Sequence, residues 1–125
     1  MENKKKILVI EDDQDINRTL CLRLQMEDFE VIAAHEGHEG FYKATTQRPD
    51  LIILDLKLPG LPGEEICKEL RKDEKYASLP IIMLTAKDTD VDKVIGKIIG
   101  ANQYMSKPFD MDELLKKISL LLSEH

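Results

Sequence analysis

The stretch LIILDLKLPG, residues 51–60, sets four consecutive aliphatic side chains ahead of a carboxylate, Asp55. A continuous aliphatic run of that length reads as a strand covered on both faces, the habit of a parallel sheet. Such a strand usually closes on turn residues. Here it closes on an acid, followed by Lys57 and a Pro-Gly turn, so a charge sits where the strand emerges from the core.

Four further apolar runs flank this one. KILVIE (6–11) and EVIAA (30–34) precede it, and PIIML (80–84) and QYMS (103–106) follow. Between them the apolar period lengthens to that of helices near 14–27, 37–47, 63–74 and 89–99, with a fifth over 110–123. Asp13, Thr89 or Asp90, and Asp110 stand where N-caps belong, and Gly100 is well placed to end the fourth helix. Strict alternation of strand and helix implies parallel strands joined by right-handed crossovers, with helices on both faces. Five units are too few for a barrel. The fold class is therefore α/β, a (βα)₅ doubly wound five-stranded parallel sheet in the flavodoxin-like order 2-1-3-4-5.

Ligands of such sheets bind beyond the carboxyl ends of the strands, where the winding reverses. The strand ends deliver Glu11 and Asp12, Asp55, Thr85, and Ser106-Lys107-Pro108 to one rim. Two like charges about 5 Å apart cost roughly 3 kcal/mol at an effective dielectric near 20. The acids must therefore raise a pKa, recruit a cation or spread into water. A small cluster of oxygen ligands suits Mg²⁺, whereas zinc would want imidazole or thiolate, absent from this rim. A carboxylate beside Mg²⁺ can act as nucleophile toward a phosphoryl donor. Asp55, on the middle strand, is the natural nucleophile, and Glu11 and Asp12 the natural metal holders. Lys107 and the Thr85 hydroxyl would meet the charge of the transferring group.

The set VIEDD (9–13), ILDLKLPGLPG (53–63), MLTAKD (83–88) and YMSKPF (104–109) resembles the receiver domain of bacterial two-component response regulators, including the chemotaxis receivers. The resemblance covers essentially the whole chain and implies a single receiver domain over 1–125. It implies that Asp55 is the phosphoacceptor, Asp12 a direct Mg²⁺ ligand, Glu11 an acid acting through water, and Lys57 the donor of a backbone carbonyl to the metal. It makes Thr85 the hydroxyl that follows the phosphoryl group, Lys107 its cationic partner, and Tyr104 the aromatic that changes rotamer with the threonine. It also implies a cis Lys107–Pro108 bond. The partners it implies are a sensor histidine kinase or phosphotransfer protein, and a second copy of the chain through the surface of the fourth helix, fifth strand and fifth helix. The chain would then do phosphoryl chemistry on itself without turning over an external substrate.

Departures from the family pattern are few. Glu11 stands where many relatives have Asp, and Leu58 where methionine is common. Asn102 and Gln103 replace the acidic pair usual before the switch aromatic. Lys57 and Lys87 lie two residues beyond Asp55 and Thr85, flanking the path of water to the phosphoryl group, which leads to an expectation of slow self-dephosphorylation. An aspartate-nucleophile phosphohydrolase would want an acid where Lys57 stands. A docking-only pseudo-receiver would lack an acid, the hydroxyl or the lysine. A dinucleotide-binding domain would need a glycine-rich turn in place of IEDDQD.

The charge balance, 18 basic against 24 acidic residues for a net of −6, offers no basic face for nucleic acid. No apolar run is long enough to span a membrane and no signal peptide is recognisable, so a cytoplasmic protein is expected. Cys21 and Cys67 form no ligand or redox spacing and read as reduced, packing residues. His35, His38 and His125 have no partners pointing to catalysis. The fourth helix carries Val91, Val94, Ile95, Ile98 and Ile99, an arc wider than one buried stripe, with Gly96 inside it. That pattern fits a deeply buried helix or one with an exposed apolar edge for a partner.

Overall fold

A computed structural model of the 125-residue chain describes residues 4–86 and 100–123. The elements are β1 (Lys6–Ile10), α1 (Gln14–Met26), β2 (Glu30–Ala34), α2 (Gly37–Thr46), β3 (Leu51–Asp55), α3 (Gly63–Lys72), β4 (Ile81–Thr85), β5 (Gln103–Ser106) and a C-terminal helix, Met111–Ser123. The five strands form one parallel sheet in the order β2-β1-β3-β4-β5, as the alternation predicts. The predicted fourth helix, its caps Thr89 or Asp90, and Lys87 lie outside the described residues.

The period of two along each strand divides the core. Leu8, Ile10, Ile52, Leu54, Ile81 and Met83 face α2 and α3, meeting Ala44, Ile66, Cys67 and Leu70. Ile7, Val9, Leu51, Ile53, Ile82 and Leu84 face α1 and the C-terminal helix, meeting Leu20, Leu24, Leu114, Ile118 and Leu121. Each aliphatic side chain fully removed from water contributes about 1.5–3 kcal/mol, which is why the central strands can be aliphatic without alternation. Among the described residues no helix is long and apolar enough to cross a membrane.

Helix starts follow side-chain chemistry. Asp13 caps α1, its Oδ1 accepting from the Ile16 N–H at 3.0 Å, and Asp110 Oδ1 accepts from the Asp112 N–H at 2.9 Å. Glu36 caps α2, accepting from the N–H groups of His38 and Glu39, a role its sequence position alone does not mark. Several boundaries shift by a residue or two, and two of these shifts have a local reason or bear on the site. The fourth strand starts at Ile81 because Pro80 has no N–H for a ladder, though its carbonyl accepts from the Ile52 N–H at 2.9 Å. Strand β1 ends at Ile10, which leaves Glu11 and Asp12 in the turn above the sheet.

Candidate functional site

Glu11, Asp55, Thr85 and Lys107 all emerge at the carboxyl ends of their strands, as the topology requires. Glu11, Asp55 and Thr85 are buried polar residues, with Glu11 completely covered. Asp12 is exposed beside them. One carboxylate oxygen from each of Glu11, Asp12 and Asp55 lies within 4.8 Å of the others. The Lys107 Nζ bridges two of the three acids, at 2.5 Å from Glu11 Oε1 and 3.2 Å from Asp55 Oδ2. Glu11 Oε2 accepts from the Asp13 N–H at 3.0 Å, and Asp55 Oδ1 accepts from the Lys57 N–H at 3.3 Å. Glu11 Oε1 makes no hydrogen bond of good geometry among the described residues, so charge contact with the ammonium stands in for a directed bond.

The backbone around Asp55 is held from two sides. The Leu56 N–H donates to Leu84 O at 2.9 Å, and the Gly63 N–H donates to Leu56 O at 3.1 Å. A Cβ on Gly63 would stand 2.1 Å from the Asp55 carbonyl oxygen. Only glycine lets α3 start that close to the end of β3. On the neighbouring side the Lys107 N–H donates to Thr85 O at 2.7 Å, and the Lys107–Pro108 bond is cis as expected. The Thr85 Oγ1 donates to Met105 O across 3.4 Å, a long bond. Tyr104 is half-buried on β5, in register with Met83, and packs against the face that holds α2 and α3.

Burial dominates the electrostatics. It pushes the Glu11 carboxyl up to about 7, against the contact with the Lys107 ammonium and the hydrogen bond from the Asp13 N–H, with the Asp55 charge adding to the rise. Asp55 is raised for the same reason, opposed by the Lys107 charge and by the hydrogen bond it accepts from Glu11. Glu11 is thus the member of the pair that keeps a proton longest. Burial would lower the Lys107 pKa, but the close contact with Glu11 and the Asp55 charge outweigh it and hold the ammonium above its ordinary range. Such a site resolves its excess of negative charge by holding a proton and a lysine, and it has a place for a stronger cation. The oxygen-only donor set and the weakly bonded buried Glu11 Oε1 fit Mg²⁺.

One supporting residue was missed in the sequence. Asn17 is buried on α1, and its Nδ2 donates to Glu11 O at 2.9 Å and to Ala34 O at 3.0 Å. Its Oδ1 accepts from the Cys21 thiol at 3.3 Å. The signal was there: Asn17 shares the helical period of Leu20 and Leu24, so a polar group falls on the buried face.

The response regulator receiver domain family matches residues 7–119. The chain is similar to the alkaline phosphatase synthesis transcriptional regulatory protein PhoP of Bacillus subtilis strain 168, with 45% identity over 118 residues, or 94% of this chain and 48% of that protein. The chain therefore spans about half the length of that curated relative. The Francisella response regulator 1452 receiver domain superposes with a TM-score of 0.90 at 30% identity, covering 97% of this chain and 98% of the other. The response regulator TrrA of Thermotoga maritima, solved in complex with Mg²⁺ and BeF, superposes with a TM-score of 0.83 at 36% identity, covering 94% and 98%.

Proposed function

The chain belongs to the response regulator receiver family, and from that premise we propose that its phosphoacceptor switch is thrown at Asp55. A sensor histidine kinase or phosphotransfer protein supplies the phosphoryl group. The N–P bond of its phosphohistidine breaks, the Asp55 Oδ–P bond forms, and the imidazole leaves with the electron pair. Asp12, Asp55, the Lys57 carbonyl and, through water, Glu11 would hold Mg²⁺, which neutralises charge on the transferring oxygens. Lys107 pairs with a phosphoryl oxygen, and the Thr85 hydroxyl donates to another. The added charge, about −2, redraws the contacts of both residues. Tyr104 reads the shift on the β5 surface, and the population moves toward an active form.

The observation that carries this reading is one ammonium from the end of β5 bridging two buried acids at the ends of β1 and β3. That cation is already aimed where new negative charge would appear. Lys57, exposed and two residues past the acceptor, slows hydrolysis of the aspartyl phosphate. A second copy of the chain is the expected partner of the β5 and C-terminal-helix surface. The domain works in the cytoplasm without touching nucleic acid or membrane itself.

The test is incubation with Mg²⁺ and acetyl phosphate followed by intact mass. A single phosphoryl adduct that disappears in Asp55→Asn supports the reading. No adduct, or one that survives the substitution, overturns it.

A further inference from the structure

Strand β5 is the shortest strand of the sheet and one of its two edges. It has one neighbour in the sheet, four residues and a single buried side chain, Met105. Its register nevertheless matters to the site. A slip of one residue would turn Tyr104 to the opposite face and move Lys107 along the rim, away from Asp55 and Glu11. Edge strands with so little apolar burial have weakly specified registers.

The amino end of β5 is fastened by a cluster that has no part in the phosphoryl site. Asn102 brackets the first residue of β4: its N–H donates to Ile81 O at 2.9 Å, and its Oδ1 accepts from the Ile81 N–H at 2.8 Å. Arg71, from the last turn of α3, holds Asn102 in turn. Its Nη2 donates to Asn102 Oδ1 at 2.8 Å, its Nε to Gly100 O at 2.9 Å, and its Nη1 to Tyr76 O at 2.9 Å. Gly100 lies at φ 92°, and a Cβ there would come to 3.0 Å from Arg71 Cγ, so the arginine rests against a bare backbone. All three acceptors are uncharged, and they sit in directions that a planar guanidinium can serve at once and an ammonium cannot.

We propose that Arg71 and Asn102 form a register lock for the switch strand, with Arg71 a positioning residue that acts on the site only through β5. The lock grips residues 100–102. The far end of the same strand presents Lys107, whose own N–H is bonded to Thr85. With both ends fixed against β4, the ammonium keeps its reach to the two acids while Thr85 and Tyr104 respond. The functional half of this inference rests on the proposed role of Asp55 and Lys107.

The experiment pairs Arg71→Lys with Asn102→Ala and includes Asn102→Asp as the conservative variant that keeps the acceptor oxygen. Amide hydrogen exchange is compared between residues 103–106 and residues 52–54, well below the melting temperature. Loss of the lock should speed exchange in β5 by about tenfold or more, the scale of one hydrogen bond, without a matching change in β3. Uptake of phosphoryl from acetyl phosphate should slow by a similar factor. Mg²⁺ affinity by calorimetry should not fall, because the acids belong to β1 and β3 and a retreating ammonium competes less for them. Asn102→Asp should behave as wild type in all three.

Unchanged exchange in β5, or equal acceleration in β3, overturns the lock. A loss of Mg²⁺ affinity in step with uptake also overturns it, since that is general destabilisation. Should Arg71→Lys fail to fold, Asn102→Ala decides alone. Should the wild-type chain take up no phosphoryl group, the Asp55 reading fails while the exchange result still decides the lock.

Discussion

Strands β3 and β5 carry the two charges that meet at the rim, and they are built in opposite ways. Every residue of β3 is buried between β1 and β4. Strand β5 pairs with β4 alone and is mostly half-buried. The acid therefore stands on a strand buried along its whole length, and the lysine follows an edge strand. On the proposed reading, the contrast would divide the labour between a fixed place for incoming charge and an edge element that responds to it. A phosphoryl group on Asp55 gains by drawing in Lys107, whereas moving β3 would disturb both halves of the core.

The contrast is broken most severely by removing the cation from the adjustable side. Lys107→Ala should slow phosphoryl uptake by about 10²–10³-fold, the usual effect of deleting one group aimed at developing negative charge. The same variant should bind Mg²⁺ more tightly, since the ammonium no longer competes for Glu11 and Asp55. Parallel uptake and calorimetry would check both, and weaker Mg²⁺ binding would refute the competition.

The fixed side can be probed by pH. The folded protein holds the Glu11 proton up to about 7, against 4.5 for the ordinary side chain. The native state therefore binds more protons than the unfolded one between those values. Its contribution to metal-free stability is fully present below 4.5 and lost as pH rises to 7. Relative to Glu11→Gln, the wild type should lose on the order of 3 kcal/mol over that window. Urea unfolding in chelator at pH 5 and pH 7.5 measures the difference. A wild type that gains on the variant over the same range would reverse the sign and sink the assignment.

A smaller loss, about 1–3 kcal/mol, should follow Asn17→Ala, which leaves the buried Glu11 and Ala34 carbonyls without their side-chain donor. Thermal unfolding would detect it, and an unchanged melting temperature would mean that water replaces the amide. The smallest effect on chemistry belongs to Tyr104→Ala, whose side chain makes no hydrogen bond to Asp55 or Lys107 among the described residues. Uptake should be unchanged while the amide-shift response of β5 to beryllofluoride is lost; a full response without the ring would remove Tyr104 from the switch.

What could be read in the chain follows the same contrast. The aliphatic runs of β1, β3 and β4 announce themselves because both faces are buried, and the strand order then places Glu11, Asp12, Asp55, Thr85 and Lys107 on one rim. QYMS, although half-buried, keeps its predicted bounds because flanking turns isolate it. Asn17 was hidden by its ordinary polarity on a helix, and only the period of Leu20 and Leu24 betrays it. Arg71 and Asn102 were out of reach for a different reason. They stand 31 residues apart, and their hydrogen bond arises from the crossing of α3 with the edge of the sheet. Asn102 read as a lost acid, whereas its carbonyl oxygen serves both a backbone N–H and a guanidinium.

The most direct measurement is to phosphorylate the chain with acetyl phosphate and Mg²⁺, reduce it with borohydride and map the peptides. An aspartyl phosphate is converted by this treatment to homoserine. The account predicts homoserine at position 55 and nowhere else. Homoserine at Asp12 or another carboxylate, or none at all, would contradict it.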